Sequence, residues 1–222
     1  MGSVIDIEKP LKDWATAHYG AGAAINGLRR LSGGASQETW AFDAGTGDTS
    51  EGLILRRTPG GAAASRSSEA VTLATEAALL AATARSGVPV PRVLHVSPPG
   101  SALGEAFIMN RVDGETIGRK ILRDEAYAAA RAKLTADCGA ALAGIHAVPL
   151  DGLPELPLSL GRDQIAKYET IYRDFDLPRP VFELAFAWLK ANEPEAAGPV
   201  LVHGDFRLGN LIVDGSGLAA VL

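Results

Sequence analysis

The stretch HGDFRLGN, His203 to Asn210, sets an aspartate, Asp205, five residues ahead of an asparagine, Asn210. That is the spacing of a phosphoryl-transfer catalytic loop. In such a loop the Asp accepts or orients the proton of a substrate hydroxyl, and the Asn amide oxygen holds a magnesium ion. Leu201 and Val202 ahead of it, and Leu211 to Val213 behind it, are apolar enough to anchor both ends of the loop in a core. His-Gly-Asp is also ordinary turn chemistry, so the eight residues alone leave a surface turn open.

A kinase-like site needs more than this loop. It needs a strand cation for the nucleotide phosphates, a helix carboxylate to hold that cation, and a backbone segment to read adenine. The run LILR puts Arg56 at the end of a strand, with Arg57 beside it as the alternative, and Glu76 follows in the first half of the next helix. LSGGAS, residues 31–36, is a short Gly-rich turn able to lie over phosphates. FIMNRVDG, residues 107–114, is a strand running into a connecting segment. Each feature is weak by itself; their order and spacing make coincidence hard to maintain.

The elements that must position these residues follow from pattern. Residues 6–19 form a short amphipathic helix with Leu11, Trp14 and His18 on one side. From Ala24 short alternating runs broken by glycine read as three strands, with a loose hairpin turn at AGTGD. GGAAASRSS is expected to be a loop, and Ser67 or Ser68 the N-cap of a helix that ends at Gly87. VPVPRVLHV is extended, since each proline biases its predecessor away from helix, and EAFIMNRVDG is a further strand. Beyond Gly114 the spacing predicts helices over 121–146, 161–174 and 180–192, before short strands return in the last 22 residues. Strand-rich and helix-rich halves predict an α+β chain of two lobes, residues 1–112 and 113–222.

On these segments the chain resembles the aminoglycoside phosphotransferase family, the small-molecule branch of the protein-kinase-like fold that includes choline and homoserine kinases. The resemblance runs from about Leu28 to the last residue. It rests on LSGGASQETW, LILRRTP, VPVPRVL, FIMNRVDG, LGRDQIAKY and above all LVHGDFRLGNLIVD, which is close to a family signature. Several of the other segments are most similar to the subgroup sometimes fused to acyl-CoA dehydrogenases.

The resemblance implies an ATP- and Mg2+-dependent transfer of the γ-phosphate to a hydroxyl of a small molecule. It makes Asp205 the catalytic carboxylate, Asn210 a magnesium ligand, and His203 a structural residue beneath the loop. Arg56, paired with Glu76, falls where the family usually has lysine. Arginine keeps the charge and gains a bidentate fork but is bulkier. The backbone of Asn110 and Val112, beyond Met109, would read adenine, and Gly33, Gly34 and Ser36 would cap the phosphates.

Family members follow the loop and a short hairpin with a second magnesium-binding Asp. Here LAAVL, the strand that should deliver it, stops at Leu222, while Asp214 belongs to an intervening VDGSG turn. A charged terminus at the end of a buried strand is costly, so the chain is expected to be a fragment of a longer polypeptide. A catalytically inactive kinase-like nucleotide-binding or scaffold protein is the alternative reading. A hydrolase using Asp205 with His203 ranks third.

Composition narrows the rest. The chain has 222 residues, 47% hydrophobic and 21% charged, with 21 Lys+Arg against 26 Asp+Glu. The mildly acidic balance argues against a nucleic-acid partner, which would call for a basic face. No apolar run approaches the roughly 18 residues of a membrane span, and a single cysteine, Cys138, rules out a disulfide framework; a cytoplasmic location is expected. His146 suits a helix C-terminus, His95 reads as a strand residue, and His18 as surface or partly packed. GETIGRK, residues 114–120, lacks the glycine spacing and Lys-Ser/Thr of a P-loop. The acceptor and the oligomeric state are left open at this level.

Overall fold

A computed structural model describes residues 5–31, 37–58, 71–195 and 197–222. Ser67 and Ser68, expected to cap the second helix, lie outside the described residues. The chain divides into two compact units, one running to Pro154 and resuming at Leu201–Leu222, the other Glu155–Val200.

In the first unit, helix α1 (Ile5–Tyr19) precedes strands β1 (Ala24–Arg30), β2 (Glu38–Thr46) and β3 (Thr49–Arg57); helix α2 (Leu73–Arg85) leads to β4 (Val93–Val96) and β5 (Ala106–Asn110). All pairs are antiparallel, in the order β1-β2-β3-β5-β4. The period-2 alternation of side chains divides the core between the two faces of this sheet. Trp40, Phe42, Leu53, Leu55, Ala106 and Ile108 point to one face, where α1 lays down Ile7, Leu11, Trp14 and Ala15. Ala41, Ile54, Phe107 and Met109 point to the other, against Leu73 and Ala77 of α2. The sheet is thus apolar on both sides.

The β2–β3 turn is tighter than AGTGD suggested. Thr46 pairs with Thr49 across a two-residue Gly47–Asp48 turn, with Gly47 at φ +57°, a conformation that the twist of a hairpin favours. Helix α2 starts at Leu73, and Thr72 is its N-cap, accepting from the Thr75 amide.

The predicted helix over 121–146 is interrupted. Helix α3 (Gly118–Arg123) ends at Asp124, whose backbone is extended, and a 3-10 turn (Glu125–Tyr127) intervenes before α4 (Ala128–His146). Arg131 secures the break by donating to the carbonyls of Ile121 and Asp124 at 2.9 and 2.7 Å. Strands β6 (Leu211–Val213) and β7 (Leu218–Val221) form a separate hairpin. It is joined to the connecting segment by the reciprocal Glu115–Val213 bonds at 2.8 and 3.0 Å, and to the α2–β4 connection by the Val221 amide on the Pro89 carbonyl at 2.9 Å.

The second unit is a pair of helices, α5 (Gly161–Asp174) and α6 (Pro180–Ala191), on the bounds expected to within a residue. Tyr172 packs its ring on Phe182 and Phe186, and Lys190 reaches Glu169 at 2.5 Å.

Candidate active site

The loop after Leu201 is shaped by Gly204, whose φ of +81° lies in the region that only glycine enters freely. The chain then crosses a 3-10 turn (Leu208–Asn210) into β6. His203 sits under the loop with both ring nitrogens on backbone. Its Nδ1 accepts from the Asp205 amide at 3.2 Å, so its Nε2 carries the proton and donates to the Leu222 carbonyl at 2.8 Å. That arrangement matches the structural place expected of His203, and neither nitrogen is left to face the Asp205 carboxylate as a hydrolytic partner would.

Asn210 donates its Nδ2 to the Asp205 carbonyl and to Asp205 Oδ2, both at 2.8 Å. With the amide nitrogen turned inward, Asn210 Oδ1 is the end left to receive a cation. Arg207 adds its Nε to both carboxylate oxygens of Asp205, at 3.1 and 3.0 Å. The Asn210 hydrogen bond first, then Arg207, hold the Asp205 carboxyl below the usual carboxylate range. Asp205 is therefore an ionised, oriented acceptor. Asp214, by contrast, spends Oδ1 on the Ser216 amide and hydroxyl and on the Gly217 amide, which closes its own turn.

On β3, alternation separates the two candidate arginines. Arg56 points to the α2 face and reaches Glu76 at 2.5 Å, over the Phe107 ring at 5.8 Å. Arg57 points to the other face, where it is buried 3.4 Å from Glu38, within ion-pair range but without a hydrogen bond from its Nε. A third partner was not anticipated from the sequence. Gln37 Oε1 accepts from Arg56 Nε at 3.1 Å and from Nη2, and its Nε2 reaches Glu76 Oε2 at 3.5 Å. Its signal was present in the register: Thr39 pairs with Arg56, and Gln37 lies two residues from Thr39 on the same face.

At the end of β5, Met109 is buried on the α2 face. Asn110 is fastened to β4's approach, its amide on the Arg92 carbonyl at 3.0 Å and its Oδ1 accepting from the Arg92 amide at 2.5 Å. Arg111 donates its amide to the Gly52 carbonyl at 2.7 Å and lays its side chain over Gly52 to reach Asp43 at 2.8 Å. A Cβ on Gly52 would stand 2.5 Å from the guanidinium carbon, so the crossing depends on glycine. The Val112 amide makes no hydrogen bond among the described residues. Gly33, Gly34 and Ser36 lie outside the described residues.

Among the described residues no group of three or more His, Cys, Asp or Glu side chains gathers as a metal cluster, and no helix is long and apolar enough to cross a membrane. The donor set at the loop is one carboxamide oxygen and one carboxylate. Hard oxygen donors in small number fit magnesium, which keeps several waters and takes the rest of its ligands from substrate phosphates.

An antiparallel sheet carrying one internal helix, an Arg–Glu pair bridging them, and an Asp–Asn loop define a protein-kinase-like α+β fold of the phosphotransferase class. The model of the phosphotransferase enzyme family, APH, matches residues 27–222, and the chain belongs to that family. Among solved structures, a candidate aminoglycoside phosphotransferase of Ralstonia eutropha JMP134 superposes with a TM-score of 0.69 at 21% identity, covering 96% of this chain and 63% of that one. The macrolide 2′-phosphotransferase MphH of Brachybacterium faecium gives 0.62 at 20% identity, over 96% and 70%. The gentamicin complex of APH(2″)-IIa gives 0.54 at 17%, over 100% and 70%. Acyl-CoA dehydrogenase family member 10 of Mus musculus is 29% identical over 168 residues, 72% of this chain and 15% of that protein. The chain thus spans less than two thirds of the length of the first of these structures and a small part of the mouse protein.

Proposed function

We propose that this chain carries the nucleotide and catalytic parts of a small-molecule kinase, transferring the γ-phosphate of ATP to a hydroxyl. The observation that carries the reading is the Asp205–Asn210 pair, in which one amide nitrogen fixes the carboxylate while the amide oxygen stays turned away from it. Residues 1–112 act as the nucleotide-binding lobe and 113–222 as the catalytic lobe.

In this reading Arg56, steadied by Glu76 and Gln37, contacts the nucleotide phosphates. The Asn110 amide is committed to Arg92, so Asn110 offers adenine its carbonyl, and Val112 offers its amide. Gly33, Gly34 and Ser36 cap the phosphates. Asn210 Oδ1 holds magnesium, which when bound neutralises charge on the phosphate oxygens. Asp205 orients the acceptor hydroxyl. The hydroxyl oxygen bonds to the γ-phosphorus as the bond to the β–γ bridging oxygen breaks, ADP leaves with that electron pair, and the hydroxyl proton passes to Asp205. Rate comes from positioning and charge compensation rather than from covalent chemistry on the protein. The place of action is the cytoplasm, with no nucleic-acid or membrane partner.

Asp205→Asn tests the assignment. Turnover of ATP with an accepted hydroxyl compound should fall at least about a hundredfold, the scale of acid–base groups, with MgATP affinity kept within threefold. Retained turnover would remove Asp205 from the reaction. A second reading, nucleotide binding without transfer, is favoured by one observation: Arg207 occupies both oxygens of Asp205. Magnesium separates the two, because a kinase binds ATP far more tightly with the metal than without it.

A further inference from the structure

Arg207 pairs with the reacting carboxylate. Only its Nε faces Asp205. Its guanidinium lies across Gly209 so closely that a Cβ there would collide with Nη1. Among the described residues Nη1 and Nη2 donate to no partner, which leaves the four N–H groups of the planar fork for something else. The side chain is 62% exposed and Asp205 61%. An exposed pair of this kind adds little to stability, so stability does not account for it.

The pairing also cancels the charge of the loop, one carboxylate against one guanidinium. The Asp205–Arg207 pair thus carries no net charge. An ammonium-bearing acceptor meets no net attraction there, whereas an oxyanion meets a guanidinium fork of matching shape.

We propose that the acceptor is a small hydroxylated anion, bound with its hydroxyl on Asp205 and its carboxylate or phosphate on Nη1 and Nη2 of Arg207. The inference rests on the phosphotransferase reading and deepens it by naming the substrate class. Hydrogen bonds of about 2.9 Å at each end set the hydroxyl and the oxyanion only a few bonds apart, so long amphiphiles are not required. Arg207 is in this account the residue that determines acceptor specificity.

The test uses the full chain with MgATP and ADP release as the readout. One arm is 3-hydroxybutyrate with its uncharged methyl ester; another is glycerol 3-phosphate with glycerol; choline and kanamycin complete the set. MgATP binding and binding of each hydroxy anion, by ligand-observed NMR, are recorded alongside. The expected result is at least tenfold preference for an anion over its uncharged counterpart, with the two arms telling carboxylate from phosphate. Arg207→Gln should raise the KM of the preferred anion about tenfold to a hundredfold, the scale of a hydrogen bond to a charged group. The KM for MgATP should stay within threefold, and Arg207→Lys should recover part of the loss. Preference for choline, kanamycin or the uncharged compounds overturns the proposal, as does a fall in kcat at unchanged KM. If MgATP binds but no anion does, this inference alone fails; if MgATP does not bind, the phosphotransferase reading fails with it.

Discussion

Arg56 on β3 and Glu76 on α2 meet at 2.5 Å, and Gln37 touches both, so the strand cation is held from two directions. One support comes from the helix and the other from the chain entering β2. The guanidinium is directed along the α2 face of the sheet and is only a quarter exposed. Replacing it with an apolar side chain of similar length, Arg56→Met, should weaken MgATP binding about tenfold to a hundredfold, as loss of a charge-assisted contact does. Glu76→Gln should weaken it less, because Gln37 remains. Calorimetric titration of both variants checks the order.

Glu38 and Arg57 form the opposite case, a pair facing the α1 side with side chains only 5% and 4% exposed. Glu38→Gln leaves a buried guanidinium without a counter-charge and should destabilise the fold by about 3–5 kcal/mol. Replacing both by leucine should recover most of that loss. A double-mutant cycle in urea, with the double variant as unstable as the single one, would contradict this account.

Gly114 enters the β6 contact at φ +152°, and a Cβ there would lie 2.5 Å from Ile212 Cγ2 and 2.9 Å from the Val213 carbonyl. Gly114→Ala should cost about 2 kcal/mol through backbone strain and displaced packing. Amide exchange should quicken at Glu115 and Val213, whose bonds this close approach permits.

His95 lies half-buried beside Trp14, at 6.1 Å between rings. Burial first, and then His18, push its pKa below the usual 6.5. The unfolded chain therefore binds a proton in a range where the folded one does not. Stability should hold above about pH 6.5 and fall as pH drops from that value to the lowered folded pKa, below which this contribution levels off. His95→Phe should flatten that acid slope in urea titrations across pH 5 to 8.

Asp205 and Asn210 are legible in the sequence because their spacing is set by covalent distance within one loop. Arg56 and Glu76 lie on different elements and are legible from their places at the end of a strand and the start of the next helix. Gln37 and Arg207 escaped because their roles depend on register and on which way a guanidinium turns. The same holds for Asp43 and Arg111: their pairing needs Gly52 between them, and in the sequence Gly52 is one glycine among many. The break at Asp124 is invisible to periodicity, since Ile121 and Leu122 before it and an alanine-rich run after it continue the helical pattern. Thr72 was passed over as a cap because serines earlier in the same stretch carry the same signal.

The connecting segment is tied down up to Arg111 by Gly52 and again from Glu115 by Val213, and the α2–β4 connection is fastened to β7 through Pro89 and Val221. Two fixed places define a line. Val112 and Asp113 lie between the fastenings on one side of it, so the sheet is expected to swing over the Asp205 loop as a door swings on two hinges. Sliding and tilting would break a fastening, and the path left for the sheet is a single arc.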